Sequence, residues 1–240
     1  MIQTRTAAGR GTTDLGWLDS RHTFAFGRGI PDRSEPHTMG FRNLRVINDD
    51  RVAPGQGFGT HGHDNMEIIS FVIDGALEHK DSMGTTQTIH PGDFQLTTAG
   101  SGITHSEYNP SADKPMRFVQ IWIIPNEQDV TPHYDHLPHD AEASRNALRL
   151  VASPTGADGS MTMHADARIY VSQLDEGAEV SHAIPGGRAA WVQVTRGTVR
   201  VRSHEGDHVL SEGDGIALTD EDRVTVAATT GAEVLLFDLA

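Results

Sequence analysis

The sequence contains no cysteine, which excludes disulfide staples, thiolate metal sites and a cysteine nucleophile. It has no apolar run near the ~18–20 residues that a membrane-spanning helix needs. Its start, Met1-Ile2-Gln3-Thr4-Arg5, lacks the apolar core of a secretory signal. A cytoplasmic chain without membrane contact is the expectation. Positive charge is scarce too: 19 Lys and Arg stand against 33 Asp and Glu, a net charge of −14. The densest basic stretch, from Arg196 to Arg202, alternates its arginines with Gly, Thr and Val and reads as a solvated strand face. A field of this sign argues against direct nucleic-acid binding. Histidine, by contrast, is plentiful, with 14 against three tyrosines and three tryptophans. Since His is the commonest metal-binding side chain, the histidines are the first place to look for chemistry.

Helical periodicity is also scarce. Glu67–Ile73, Phe118–Ile124, Trp191–Val194 and Val234–Phe237 are short, apolar, rich in β-branched or aromatic residues, and bounded by Gly, Pro, Asn and Asp. That pattern predicts an all-β sandwich or barrel. Asp74-Gly75 predicts a hairpin and Pro91-Gly92-Asp93 a further turn. Only Asp140–Leu148 reads as helical, with Asp140 as its cap. The length of 240 residues suits two domains of about 100–120 residues each. Gly75 followed by Pro91-Gly92-Asp93 is echoed by Gly197 followed by Glu212-Gly213-Asp214, an internal repeat that argues for two similar barrels. The expected organisation is a metal-binding domain over 1–125, a connector over 126–146 and a second barrel over 147–240.

The chemistry concentrates in two short stretches. His61-Gly62-His63 and His105-Ser106-Glu107 each place two ligand-type side chains two residues apart, and on a strand such residues share a face. Two such strands side by side bring His61, His63, His105 and Glu107 together. Three neutral imidazoles and a carboxylate suit a first-row divalent ion such as iron, copper, nickel, zinc or manganese. By strand parity Glu67 also faces inward with His61 and His63, so the sequence leaves two candidates for the carboxylate. His133, His136 and His139 read as solvated connector residues, and His79, His90, His164, His204 and His208 as strand-surface or turn residues. At the repeat offset, His61 and His63 fall on Ala183 and Pro185, and His105 and Glu107 fall near Val226 and Ala228. No second metal site is therefore expected.

The pattern Gly55-x5-His61-x-His63-x3-Glu67 resembles the first cupin motif, and Pro91-Gly92-Asp93 through Gly102-x2-His105-x3-Asn109 resembles the second. Longer stretches, from Leu15 to Phe24, Gly40 to Asp50 and Thr98 to Glu107, resemble the pirin family, especially its bacterial members with quercetin 2,3-dioxygenase activity. The resemblance implies two cupin-type jelly-roll barrels in tandem, a bicupin. It favours Glu107 over Glu67 as the fourth ligand, leaving Glu67 to orient a ligand imidazole or to serve the fold. It further implies one divalent transition metal, with Fe(II) favoured, and flavonol-like and dioxygen substrates. The flavonol would bind through its 3-hydroxyl, whose pKa the metal lowers, with Glu107 as proton acceptor. Ring cleavage would then release carbon monoxide. Phe58 and Phe94 are candidates for an apolar lining. The alternative is a metal-binding regulatory pirin that acts through a protein partner without catalysis. A monomer is expected in either case.

Overall fold

The computed structural model describes residues 1–31 and 37–240. The first half contributes β1 (Ile2–Arg5), β2 (Gly11–Asp14), β3 (Leu18–His22), β4 (Leu44–Val52), β5 (Gly57–His63), β6 (Glu67–Asp74), β7 (Leu77–Asp81), β8 (Thr86–Ile89), β9 (Phe94–Thr98), β10 (Ile103–Tyr108) and β11 (Met116–Ile123). The connector forms β12 (His133–Leu137). The second half contributes β13 (Arg149–Ser153), β14 (Met161–Thr162), β15 (Ala167–Leu174), β16 (Glu179–Ala183), β17 (Ala189–Arg196), β18 (Thr198–Ser203), β19 (Gly206–Ser211), β20 (Gly215–Leu218), β21 (Arg223–Ala228) and β22 (Ala232–Leu239). Each half pairs a seven-stranded sheet with a four-stranded one. The fold is all-β, two barrels in tandem, as the sequence predicts.

The apolar runs follow from how these sheets stack. Ile69, Phe71 and Ile73 of β6 and Val119, Ile121 and Ile123 of β11 share one core with Trp191, Leu235 and Phe237 of the second half. The two large sheets thus pack against each other, and their strands are buried on both faces. The alternate residues point into the first barrel: Val72 and Phe118 join a small apolar cluster there, while Ser70 and Gln120 meet in a polar one. The repeated glycines are required by their turns. Gly75 and Gly197 have φ of 79° and 75°, and a Cβ at either would strike the backbone at the start of β11, near Met116, or of β22, near Ala232.

Two segments cross the division into halves. β1 pairs with β20, so the first strand completes the second barrel's sheet. β12 pairs with β9 along Thr98↔His133 to Phe94↔Leu137, so this part of the connector is an ordered edge strand. The reading of its histidines as solvated loop residues holds for His139, which is exposed beyond the strand, while His133 is an exposed strand residue and His136 is corrected to a partly buried one. His136 Nε2 lies 3.2 Å from Asp93 Oδ2, and the His139 amide donates to Asp93 Oδ1 at 2.8 Å. The expected helix over Asp140–Leu148 shrinks to α1 (Ala141–Ser144). Asp140 does cap it, accepting from the Ala143 amide at 3.0 Å. The chain then turns extended at Arg145 and left-handed at Asn146, with φ of 52°. There Asn146 accepts from the Asp175 amide and donates to its carboxylate, both at 2.8 Å, and this local pairing competes with further helix.

A buried arginine is among the ion-paired groups that tie the halves together. Arg117 on β11 grips Asp49 on β4 with two hydrogen bonds of 2.9 Å. It also donates to the Thr195 carbonyl at 3.3 Å and lies 2.8 Å from Glu212. Burial pushes the Asp49 carboxyl up, but the hydrogen bonds and charge of Arg117 outweigh it and hold the group below its ordinary 3.8. A depressed carboxylate contributes stability that is complete above the unfolded value and is lost as pH falls through the folded one. Replacing Arg117 by Met should lower the unfolding free energy by ~1.5–3 kcal/mol, because Asp49 loses its charge-assisted hydrogen bonds, while Arg10 at 3.5 Å and Arg51 at 3.7 Å remain beside it. Urea melts at neutral pH measure this. Asp49→Asn should also flatten the acid limb of the stability profile below about pH 4.

Candidate metal centre

The four-stranded sheet of the first barrel has the order β5-β10-β7-β8. β10 is therefore flanked by β5 on one side and β7 on the other. His105 faces His61 across the β5 pairing, and Ile103 faces His63. Across the β7 pairing, Glu107 faces His79 and His105 faces Asp81. A bulge interrupts the β5 ladder between His105 and Glu107. Beyond the bulge Gly57 pairs with Tyr108, and a Cβ there would strike the Glu107 carbonyl, so only glycine permits the close approach.

His61, His63 and His105 converge. Their ring centroids are 4.6–4.9 Å apart, and one ligand atom from each lies within 4.8 Å of the others. The Nδ1 of His61 is 2.8 Å from the Gly59 carbonyl, which fixes the proton there and leaves Nε2 as the lone-pair nitrogen. His63 packs edge-on against Trp122 at 5.1 Å. His105 is 1% exposed, and neither of its ring nitrogens has a hydrogen-bond partner. Burial, reinforced by the neighbouring imidazoles, pushes His63 down to about 4 and His105 down to about 3. Both are neutral at pH 7, the state in which imidazole binds metal.

Glu107 lies beside this triad and belongs to a second one. One of its oxygens, a nitrogen of His105 and a nitrogen of His79 are within 4.8 Å of one another. Its Oε1 accepts from Gln95 at 2.7 Å and from Ser70 at 3.0 Å, and Gln95 in turn accepts from the Tyr134 hydroxyl at 3.1 Å. Burial pushes the Glu107 carboxyl up, although His79 and the Ser70 hydrogen bond oppose this. His79, read from sequence as a surface or turn residue, is fully buried and stacks on Tyr134 at 4.6 Å. That reading is corrected: its strand is β10's second neighbour, so its side chain points into the barrel. The His-x-Asp spacing at 79–81 was the available signal. Glu67 goes elsewhere. The chain leaves β5 at His63 and passes through Asn65 at φ 45°, so strand parity does not carry across. Glu67 then starts β6 in the large sheet, accepting from Thr98 at 2.7 Å and from the His164 amide at 3.3 Å. It touches neither triad and fastens the two halves to each other.

A cavity of about 490 Å³ opens onto His61, His63 and Glu107. Trp17, Phe26, Phe58, Phe118 and Trp122 give it aromatic walls, with Asn48, Asp50 and Gln120 as polar positions. Phe58 lines it, as the sequence suggests. Phe94 does not: it is fully buried in the core between the large sheets, stacked on Phe71 at 4.4 Å. Asp50, which sequence reasoning missed, accepts a hydrogen bond from Ser20. Burial pushes its carboxyl up to about 7, with Asp49 and Glu107 adding to the effect.

In the second barrel the equivalent positions follow from strand register. Val226 faces Val201, four residues after Gly197, as Glu107 faces His79, four after Gly75. Val224 then matches His105, and His182 opposite it matches His61. The offset-based partners Ala183, Pro185, Val226 and Ala228 are thus displaced along their strands, because the loops differ in length. Val224 and Val226, with Ile184 beside them, belong to an aliphatic core, and His182 is 2.9 Å from Asp238.

The family model described as Pirin matches residues 2–123, and one described as a quercetinase C-terminal cupin domain matches residues 150–239. The chain is 43% identical over 239 residues to the quercetin 2,3-dioxygenase of Escherichia coli K12, covering all of this chain and 99% of that protein. It is 38% identical to a putative quercetin 2,3-dioxygenase of Mycobacterium bovis, over 99% of this chain and 95% of that one. The crystal structure of the bacterial pirin YhhW from Escherichia coli in complex with nickel(II) superposes with a TM-score of 0.91 at 42% identity, covering 100% and 99% of the two chains.

The elevated value of Asp50 has a measurable consequence. Between 3.8 and about 7 the folded chain holds a proton that the unfolded chain releases. Stability of the metal-free protein should therefore fall as pH rises through that window. In Asp50→Asn this slope should flatten, and carboxyl NMR of the wild type should show one aspartate titrating near 7.

Proposed function

Since the chain belongs to the pirin family, we propose that its first barrel is the active site of a metal-dependent dioxygenase that opens the heterocycle of flavonols such as quercetin. The observation that carries this reading is His105, a fully buried imidazole with both nitrogens unpartnered, set within 4.8 Å of two further imidazoles. Leaving such groups unsatisfied costs about 1–3 kcal/mol each, and a cation bound by His61, His63 and His105 removes that cost for one of the two nitrogens. The donor set suits a first-row divalent ion. Glu107 completes it as the carboxylate ligand, and its charge lowers that of a divalent ion with three neutral imidazoles to about +1. When bound, the ion supplies Lewis-acid polarisation and open coordination positions for oxygen ligands.

The protein's own groups do the rest. The aromatic walls from Trp17 to Trp122 hold a planar ring system and exclude water. Glu107 has Oε1 occupied by Gln95 and Ser70, so Oε2 is the oxygen that would serve both as ligand and as acceptor of the substrate's 3-hydroxyl proton. Its buried position raises its proton affinity, which suits a base that must hold the proton in a dry site. In the overall reaction both atoms of dioxygen enter the ring-opened ester, and one ring carbon leaves as carbon monoxide.

Purified protein should carry about one transition-metal equivalent per chain, and His61→Ala with His63→Ala should abolish it, as measured by elemental analysis. Metal-loaded protein should release carbon monoxide and bleach quercetin under air. Glu107→Gln should slow turnover per bound metal by about 10²–10⁴-fold. Glu67→Gln should leave it largely unchanged. A metal-replete wild type that leaves flavonols intact would reject the dioxygenase and favour a regulatory pirin working through a protein partner.

A further inference from the structure

Metal-binding histidines as a rule donate their second ring N–H to a fixed acceptor, which sets the tautomer and orients the ring. In the triad this rule is met at His61 by the Gly59 carbonyl. At His105 it is unmet, since neither nitrogen has a partner. Once one nitrogen is given to a metal, the other carries a proton with nowhere to go in a fully buried site.

Outside the triad, two acceptors come within 4.8 Å of a His105 nitrogen, Glu107 and His79; Glu107 is assigned to the metal and already held by Gln95 and Ser70, which leaves His79. His79 lies on the strand flanking β10 opposite to β5. Its ring centroid is 5.4 Å from that of His105, and a nitrogen of each lies within 4.8 Å of the other. The protonation of His79 is fixed from behind. Its Nε2 is 3.1 Å from Asp81 Oδ2, and both side chains are fully buried. Asp81 is held in turn, because its Oδ1 accepts from the amides of Met83 and Thr85 at 2.9 and 3.0 Å. A carboxylate only accepts, so the His79 proton sits on Nε2. Nδ1 is left as a buried lone pair without a partner, and Tyr134 stacked on the ring keeps it from swinging out.

We propose that Asp81 and His79 form a positioning dyad for the metal ligand His105, with His79 Nδ1 accepting the second N–H of the His105 ring. The order is Asp81 carboxylate, His79 imidazole, His105 imidazole, metal. His79 is thus a positioning residue and not a ligand. The inference rests on the assignment of His105 as a ligand made above, and goes beyond it by naming the groups that orient that ligand.

The test uses nickel(II) binding and NMR of the imidazole nitrogens on the full chain. Asp81→Asn keeps the size of the side chain and an oxygen for the turn amides. Its amide, however, donates to His79, moves the proton to Nδ1 and abolishes the acceptor. His79→Phe keeps a ring against Tyr134 and removes the acceptor outright. Each should raise the nickel dissociation constant by about 10–100-fold, with the metal-free fold intact by circular dichroism. In the nickel- or zinc-loaded wild type, His79 should be protonated on Nε2 with Nδ1 accepting a hydrogen bond, a reading that does not depend on any variant folding. Unchanged dissociation constants in both variants, beside a wild type that binds nickel, would overturn the dyad alone. So would His79 Nδ1 found protonated or bound to the metal. A wild type that binds no nickel would instead remove the ligand assignment, and the dyad with it.

Discussion

The chemistry of this protein depends on β10 lying between β5 and β7. A strand shows one face every second residue, so His105 and Glu107 look into the barrel together. Pairing on one side brings His61 and His63 to them, and pairing on the other brings His79 with Asp81 behind it. Six side chains of ligand type, His61, His63, His79, Asp81, His105 and Glu107, thereby gather on one small sheet. The surrounding sheet then supplies Ser70, Gln95 and, from the connector strand, Tyr134 as hydrogen-bonding partners around Glu107. A buried polar network of this kind is tolerable only when its members are satisfied. The buried nitrogens without partners on His105 and His79 are those that the proposed cation and its supporting hydrogen bond would satisfy.

The two barrels use one frame to opposite ends. In the second, the positions of His105 and Glu107 carry Val224 and Val226, and the interior is a continuous aliphatic core. In the first, the equivalent space is a cavity with carboxyls and imidazoles whose burial works against their charged forms. A barrel that keeps such groups dry gives up hydrophobic stabilisation. Here the large sheets pack against each other through a shared core. Arg117 and Glu67 bridge the halves with buried hydrogen bonds, so the polar barrel is supported by its apolar neighbour.

The sequence by itself determined the strand class, the repeat and the identity of the histidine cluster, because each rests on local rules. A two-residue side-chain period, a glycine forced to positive φ and a His-x-His spacing are visible without knowing what packs on what. Membership of the pirin family was equally legible, since its motifs are contiguous. What only the tertiary structure decided were relations between distant strands. Parity pointed Glu67 inward, but one left-handed residue at Asn65 sent it to the other sheet. His79 and Asp50 looked like ordinary strand residues until β7 and β4 were placed around the cavity. Phe94 had the composition of a pocket wall, yet its face of the sheet points to the second half. Part of the connector became an edge strand because β9 offered its free edge to it, with His136 then meeting Asp93. The repeat offset found the turns but missed the partners in the second barrel, because loop lengths shift register and only backbone pairing fixes it.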